Sequence, residues 1–223
     1  MERVLEPEWL DELPPQDPRA VRSRADLRRV NWFMANAPII TKALRPLPSG
    51  HLSIADLGSG DGRLMLRVAR RLGSSMNITL VDRSPVVSAE TLREFELLGC
   101  KARVAARDAL SFLAEEPVDI VVVNLFLHHL SDPDLAKLFG LIAQRARMLV
   151  ACEPRRSALA LAGCSLLGLI GCNDVTRHDA RVSVRAGFAG TELSRLWPVE
   201  GWTLEERAAP PFSHLFVARR DAL

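Results

Sequence analysis

The sequence lacks the features that would assign it to several common classes of protein. Its 29 Lys and Arg residues and 27 Asp and Glu residues leave a formal net charge of only +2. A charge of this size produces no field that would attract nucleic acid non-specifically. The four cysteines include no C-x-x-C pair and lie in apolar surroundings, as is typical of buried thiols in a reducing compartment. We therefore expect no nucleic-acid partner and no disulfide framework.

Hydrophobic runs of membrane-spanning length are also missing. The longest apolar stretch, residues 157–171, is shorter than the roughly 20 residues that a spanning helix needs, so it predicts a buried helix or a cavity wall. The N-terminus is acidic and lacks the charged and then apolar pattern of a signal peptide. These absences favour a cytoplasmic protein without an integral membrane segment. A length of 223 residues fits one α/β domain with a substantial core.

What the sequence does contain is a strand, a glycine-rich turn and a helix in close succession. The apolar residues 52–57 predict a buried strand that carries Asp56 near its end, and Gly58, Gly60 and Gly62 follow. Glycines let the backbone turn sharply and come close to a ligand. A dinucleotide fingerprint would need its third glycine one residue later, where Arg63 stands. The pattern thus predicts a binding turn for a ligand other than a dinucleotide, with a tight turn without ligand as the alternative.

Strand and helix patterns alternate after this turn and predict a parallel, doubly wound sheet. Ligands of such sheets bind outside the carboxyl ends of the strands. Polar residues stand at five such ends, namely Asp56, Asp82, Asp108, Asn124 and Glu153. Asp82 follows the first glycine at close to the offset of about 20 residues at which a carboxylate binds ribose hydroxyls. Alternatively, Asp82 is a charge at a helix N-terminus and Asp108 an ordinary N-cap.

Segments outside this alternation predict the remaining organisation. Residues 1–18 are rich in proline and acid and indicate an irregular leader, and amphipathic helices follow up to residue 50 as a cap over the core. The core spans residues 51–223, with a helical lid inserted at 155–198. Ser84 and Pro85 predict the start of a helix. Residues 202–207 and 212–219 predict an edge hairpin.

On these motifs and their order, the chain from about Leu52 to Arg156 resembles the class I S-adenosylmethionine (SAM) dependent methyltransferases. The resemblance implies SAM as cofactor and a seven-stranded, mostly parallel Rossmann-like sheet. It also implies a methionyl portion against the glycine turn and an adenosyl group between Asp82 and Asp108. The cofactor-binding residues predicted in this way are Asp56, Gly58, Ser59, Gly60, Gly62, Asp82, Arg83, Asp108, Ala109 and Asn124.

A narrower resemblance concerns the acceptor. Residues 26–31 and 176–188, with Trp197 and Pro198, are similar to the methyltransferases found beside type III polyketide synthases, which act on phenolic or quinone-like lipids. This implies a small, hydrophobic, ring-bearing acceptor and O-methylation of a phenol-like compound in secondary metabolism. A non-catalytic SAM-fold binding or regulatory protein, a C- or N-methyltransferase and an NAD-dependent oxidoreductase are the alternatives.

Three histidines are candidates for the catalytic base, namely His128, His129 and His178, because imidazole suits proton abstraction near neutral pH. Packing is the alternative role for each of them. No metal is predicted: catechol-type members of the family carry an acid after the fourth strand, where this chain has Asn124. Adjacent residues on an extended chain point in opposite directions, so His128 and His129 are not expected to share a ligand.

Overall fold

The structure of the protein is a computed structural model, and it describes residues 1–14, 16–45, 52–198 and 200–221. Three helices precede the first strand, α1 (Trp9–Glu12), α2 (Pro18–Phe33) and α3 (Asn36–Leu44). None of the helices within these residues is long and apolar enough to cross a membrane.

Seven strands of the described chain form one sheet in the order β3-β2-β1-β4-β5-β7-β6. All neighbouring pairs are parallel except those of β7, which is antiparallel to both β5 and β6. This arrangement confirms the predicted seven-stranded, mostly parallel α/β fold. The strands are β1 (Ser53–Leu57), β2 (Asn77–Asp82), β3 (Lys101–Ala106), β4 (Ile120–Asn124), β5 (Met148–Pro154), β6 (Trp202–Ala209) and β7 (Ser213–Arg220).

Apolar layers cover both faces of the sheet, because successive strand residues point to opposite sides. Ile54 of β1 packs with α3 and the next two helices, whereas Ala55 and Leu57 pack with the helices of the other face. The helices after β1 are α4 (Arg63–Leu72), α5 (Ala89–Leu97), α6 (Ala109–Glu115), a 3₁₀ helix (Leu127–His129) and α7 (Asp132–Arg145), then α8 (Ala158–Leu166), α9 (Asp174–Ala186) and α10 (Glu192–Leu196) of the insert.

The helix after β2 begins later than the sequence predicts. Ser84 is not its N-cap; Ser88 is, and its hydroxyl accepts a hydrogen bond from the Thr91 N–H. The Ser84 N–H instead donates to the Asp82 carboxylate at 2.8 Å. This local bond holds the chain in a turn after β2, so the helix starts only at Ala89.

The N-terminal segment, predicted as an irregular leader, lies against the insert. The N–H groups of Trp9 and Leu10 donate to the Asp179 carboxylate on α9 at 2.9 and 3.0 Å. Arg3 donates to the Ala186 carbonyl at 2.8 Å and to the Leu130 carbonyl at 2.7 Å. Because an unpaired buried carboxylate is costly, these bonds hold the segment and the insert together.

Glu206 of β6 joins the insert to the sheet. Its carboxylate accepts the N–H groups of Leu193 and Ser194 at the start of α10, and the Nε2–H of buried His214 at 2.8 Å. Burial by itself would raise the pKa of Glu206, but the hydrogen bonds from His214 and Ser194 outweigh it and lower the pKa.

We expect Glu206→Gln to lower the free energy of unfolding by about 2 kcal/mol at neutral pH, since a neutral amide gives up charge-assisted bonds. Because the pKa of Glu206 is lowered in the folded protein, its ionised carboxylate stabilises the fold fully above the ordinary pKa of 4.5. This stabilisation is lost as the pH falls through the folded-state pKa. Urea unfolding at pH 7 and pH 4 measures both effects. Glu205→Gln, at the neighbouring and more exposed position, is the matched control. Equal losses of unfolding free energy in Glu206→Gln and Glu205→Gln would contradict the stabilising role of Glu206.

Candidate active site

A cavity of about 920 Å³ lies at the carboxyl ends of β1, β4 and β5. Its wall combines the glycine turn, α2, the N-terminal segment and the insert. The apolar lining includes Leu27, Val30, Phe33 and Met34 of α2 together with Ala160, Cys164, Leu166, Leu167 and Ile170 of the insert.

The three glycines of the turn are needed for different structural reasons. All have positive φ, at +73° for Gly58, +54° for Gly60 and +70° for Gly62. A Cβ on Gly58 would lie 2.9 Å from the Phe126 ring, and one on Gly62 would lie 2.8 Å from Leu80. A Cβ on Gly60 would meet nothing within 4 Å. Packing therefore requires the outer two glycines, whereas Gly60 borders open space in the cavity.

Two buried oxygens on the same wall have no hydrogen-bond partner within the described residues, Asp56 Oδ2 and Ser59 Oγ. Burial, with the nearby charges of Asp82 and Asp61, raises the pKa of Asp56 to about 7. Arg67, also on the wall, has a buried Nε without a partner in that part of the chain. Two residues of one cavity wall thus carry an unpaired acceptor and an unpaired donor, which suits a ligand that carries both charges.

The acids at the ends of β2 and β3, Asp82 and Asp108, are not among the residues that line the cavity. Asp82 accepts the Gly60 N–H at 2.9 Å. Asp108 caps α6, which starts at Ala109, and accepts a hydrogen bond from the Arg83 Nε at 3.0 Å. Burial raises the pKa of Asp108, but the bonds from Arg83 and the helix N–H groups lower it on balance. The sequence alternative of an N-cap is therefore correct for Asp108, and it leaves open whether Asp108 also binds a ligand.

Asn124 at the end of β4 belongs to a buried chain of amides. Its Oδ1 accepts the Nδ2–H of Asn36 at 2.7 Å, and Asn36 Oδ1 accepts the Ser213 hydroxyl at 2.6 Å. Asn36 is fully buried at the start of α3. Sequence analysis missed it, because nothing in the helical pattern distinguishes a buried amide from an exposed one.

His128 is buried between two carboxylates. Its Nδ1 lies 2.7 Å from Oε2 of Glu153, and its Nε2 lies 3.6 Å from Oε1 of Glu8. Burial would lower the pKa of His128, but the hydrogen bond and charge of Glu153 and then of Glu8 raise it to about 9. Glu8 lies in the segment predicted as an irregular leader, in which no site residue was predicted.

His129 lies next to His128 with the two ring centroids 4.1 Å apart. The argument from an extended chain was wrong here, because residues 127–129 form a 3₁₀ turn in which neighbouring rings meet. Both histidines line the cavity. Desolvation by the surrounding chain, and then the charge of His128, lower the pKa of His129.

His178 lies apart from this pair and is not among the residues that line the cavity. Its ring stacks on Trp9 with centroids 3.8 Å apart, and its Nδ1 lies 3.0 Å from the Asp179 carboxylate. The structure brings together two of the three predicted histidines, and it adds Glu8 and Asp11 to the same wall.

Comparison with known proteins gives the class. Residues 54–148 match the profile of a family described as a methyltransferase domain. No curated protein matches the sequence. An O-methyltransferase family protein from Burkholderia thailandensis has a TM-score of 0.65 at 17% identity, covering 93% of this chain and 61% of that one.

Two further solved structures are similar. The plantazolicin methyltransferase BpumL in complex with SAH has a TM-score of 0.65 at 13% identity, covering 92% of this chain and 91% of that one. The N,N-8-amino-8-demethyl-D-riboflavin dimethyltransferase RosA from Streptomyces davawensis has a TM-score of 0.62 at 15% identity, covering 96% and 62%. This chain spans less than two thirds of the length of RosA and of the Burkholderia protein.

Residues 54–148 thus match a methyltransferase domain, and the chain shares its fold with solved methyltransferases, one of them with SAH bound. The domain match favours methyl transfer over the NAD-dependent alternative.

Proposed function

We propose that this enzyme methylates a small, ring-bearing and largely apolar acceptor, with a phenol-like hydroxyl as the methylated group. The observation that carries the proposal is the cavity itself, in which an apolar wall from α2 and the insert adjoins the glycine turn. Burying apolar surface stabilises a bound ligand by roughly 25 cal/mol per Å². Two similar proteins agree with it, since one is an O-methyltransferase family protein and RosA is a dimethyltransferase of a riboflavin derivative.

The residues of the turn fit the methionyl portion of SAM. Its amino group is a cation that pairs with the unpartnered Oδ2 of Asp56, and its carboxylate is an acceptor for the unpartnered Nε of Arg67. The open space at Gly60 leaves room for the ligand. Ser59 contributes a hydroxyl without another partner in the described chain. Arg67 was not identified from the sequence.

The predicted adenosyl contacts remain part of this proposal. Asp82 accepts hydrogen bonds from ribose hydroxyls at the end of β2. Asp108 and Ala109 at the start of α6 border the adenine, and Arg83 holds Asp108 in place. Asn124, fixed by Asn36, forms the floor between cofactor and acceptor.

Methyl transfer is a displacement in line with the breaking bond, so the protein contributes mainly alignment and exclusion of water. SAM supplies a methyl group on a positively charged sulfur. His128 and His129 line the cavity. His128, protonated at neutral pH because its pKa is raised to about 9, orients the acceptor hydroxyl, and His129, whose pKa is lowered, takes up the proton. His178 has no such role in this proposal, because its ring is stacked on Trp9.

The space at Gly60 leads to a test of cofactor placement. We expect Gly60→Ala to raise the Kd for SAM at least tenfold, because the new methyl group occupies space that the ligand needs. Gly73→Ala is the matched control, since Gly73 also has positive φ and open surroundings but lies at the end of α4. Both variants carry the same backbone strain, about 1–2 kcal/mol. Titration calorimetry measures the affinities, and equal Kd values in the two variants would contradict this placement.

The raised pKa of Asp56 leads to a pH prediction. Below about 7 the carboxyl is protonated in the free protein, and the cationic amino group of SAM favours its ionised form. The affinity for SAM should fall by up to tenfold per pH unit below 7 and level off above it. Asp56→Asn should abolish this slope, and a slope that persists in that variant would exclude the contact.

Protein stability provides an independent check on the same group. Because the folded pKa of about 7 exceeds the ordinary 3.8, the unfolded chain loses this proton first as the pH rises. The ionisation of Asp56 therefore lowers the free energy of unfolding as the pH rises from about 4 to about 7, and it has no further effect above pH 7. The loss should be smaller in Asp56→Asn, as urea unfolding without SAM would measure.

The cavity leads to a prediction about the acceptor. Alkylphenols and hydroxyquinones should be methylated in preference to free amino acids and short RNAs, as measured by SAM consumption. Leu167→Trp narrows the apolar wall and should raise the acceptor KM severalfold without changing SAM affinity. Leu169→Trp, at an 83% exposed position outside the lining, should leave KM unchanged. Preferential turnover of the polar compounds would refute the apolar acceptor.

A further inference from the structure

Three side chains of the cavity wall form a cluster with the composition of a metal site. The ligand atoms of Glu8, His128 and His129 all lie within 4.8 Å of one another. The shortest pair, Nε2 of His128 and Oε1 of Glu8, is 3.6 Å apart. Two atoms that bind one ion at about 2.0–2.2 Å each are separated by a similar distance. Small side-chain rotations would therefore bring all three onto a single ion.

The neighbours of the cluster fix two of these side chains in the orientation that ligands need. Glu153 lies 2.7 Å from Nδ1 of His128, which leaves Nε2 directed at Glu8. A carboxylate on the far nitrogen of a histidine is the arrangement that orients and strengthens histidine ligands of metals. Glu8 accepts a hydrogen bond from the hydroxyl of Ser183 on α9. The cluster is thus held from both sides, by β5 and by the insert.

The surrounding charge favours a cation. The carboxyl group of Asp11 interacts with His129, Glu8 and Asp179, and Asp11 and Asp179 line the same cavity. Arg3 is paired with Asp132 at 2.7 Å and donates to the carbonyls of His128 and Leu130. When the two imidazoles are neutral, the carboxylates give this end of the cavity a net negative charge. A divalent cation would neutralise that charge.

We propose that Glu8, His128 and His129 bind one divalent transition-metal ion of the zinc type at the wall of the acceptor cavity. Two imidazoles and a carboxylate suit zinc and its first-row neighbours, whereas Mg²⁺ prefers oxygen ligands alone. Three protein ligands leave a coordination position open to the cavity, as in catalytic zinc sites. Resting on the proposed function, the bound ion would polarise the acceptor hydroxyl and lower its pKa before methyl transfer, and the two histidines would then act as metal ligands in place of taking up the proton.

The test measures metal binding without SAM or acceptor, so its result does not depend on the proposed function. Full-length protein treated with a chelator is titrated with Zn²⁺ by calorimetry, and Co²⁺ is added separately to record the visible spectrum of the bound ion. We expect one ion per chain. Glu8→Gln and His129→Ala should each weaken Zn²⁺ binding at least a hundredfold and abolish the Co²⁺ spectrum. Circular dichroism and SAM affinity report whether each variant is folded.

Two controls make the result specific to this cluster. His178→Ala removes a nearby imidazole that contacts Asp179 but not the cluster, and it should bind Zn²⁺ as the parent does. A Cys164→Ala, Cys172→Ala double variant, which lacks the two thiols of the insert, should also bind normally. The proposal is overturned if no stoichiometric binding occurs, or if folded Glu8→Gln and His129→Ala bind Zn²⁺ as tightly as the parent.

A second measurement tests whether an ion bound at the cluster takes part in methyl transfer. Methyl transfer by the chelated protein should be at least tenfold slower than by the Zn²⁺-loaded protein at equal SAM saturation. Stoichiometric Zn²⁺ binding with equal rates in both preparations would overturn the role in acceptor activation and leave the proposed function intact. Absence of turnover in both, with Zn²⁺ bound at the cluster, would instead count against the proposed acceptor.

Discussion

The geometry of the polar cavity wall depends on one fully buried carboxylate, that of Glu153 at the end of β5. It accepts the N–H groups of Phe126 and Leu127 at 3.0 Å, and it lies 2.7 Å from Nδ1 of His128. Removing a carboxylate from water costs several kcal/mol, and these charge-assisted bonds offset the cost. The donors all belong to the turn that starts after β4. The carboxylate therefore determines how this turn is folded, and with it the direction in which His128 and His129 face.

The cavity joins a part that lies inside the matched domain with parts that lie outside it. The matched domain, residues 54–148, contains the glycine turn and both histidines. The apolar wall comes from α2 and from the insert, which lie outside that match. The N-terminal segment binds the insert through Asp179 and brings Glu8 to the histidines. In the proposed function, the acceptor is therefore recognised mainly by segments that the domain match does not cover.

The sheet could be predicted from sequence because its signals are local. Apolar runs, closely spaced glycines and polar residues at strand ends each occupy a few consecutive positions, and they indicated the succession of strands and the position of Asp56. The histidine pair and Glu8 could not be predicted in the same way. Their proximity depends on a 3₁₀ turn held by Glu153 and on a contact across about 120 residues. The start of α5 was misplaced because the bond between Asp82 and Ser84 competes with helix formation.

The unpaired groups of the cavity also explain why the glycine turn selects its ligand by charge. A dinucleotide would bring a pyrophosphate to this turn. Its negative charge would oppose the carboxylate of Asp56, on which the charges of Asp82 and Asp61 already act. A zwitterionic amino acid group satisfies Asp56 with its ammonium and Arg67 with its carboxylate. Buried polar atoms without partners cost about 1–3 kcal/mol each, so the ligand that pairs both recovers more free energy than one that pairs only the arginine. The absence of a glycine at Arg63 and the presence of these two unpaired atoms thus favour the same cofactor, SAM, for separate physical reasons.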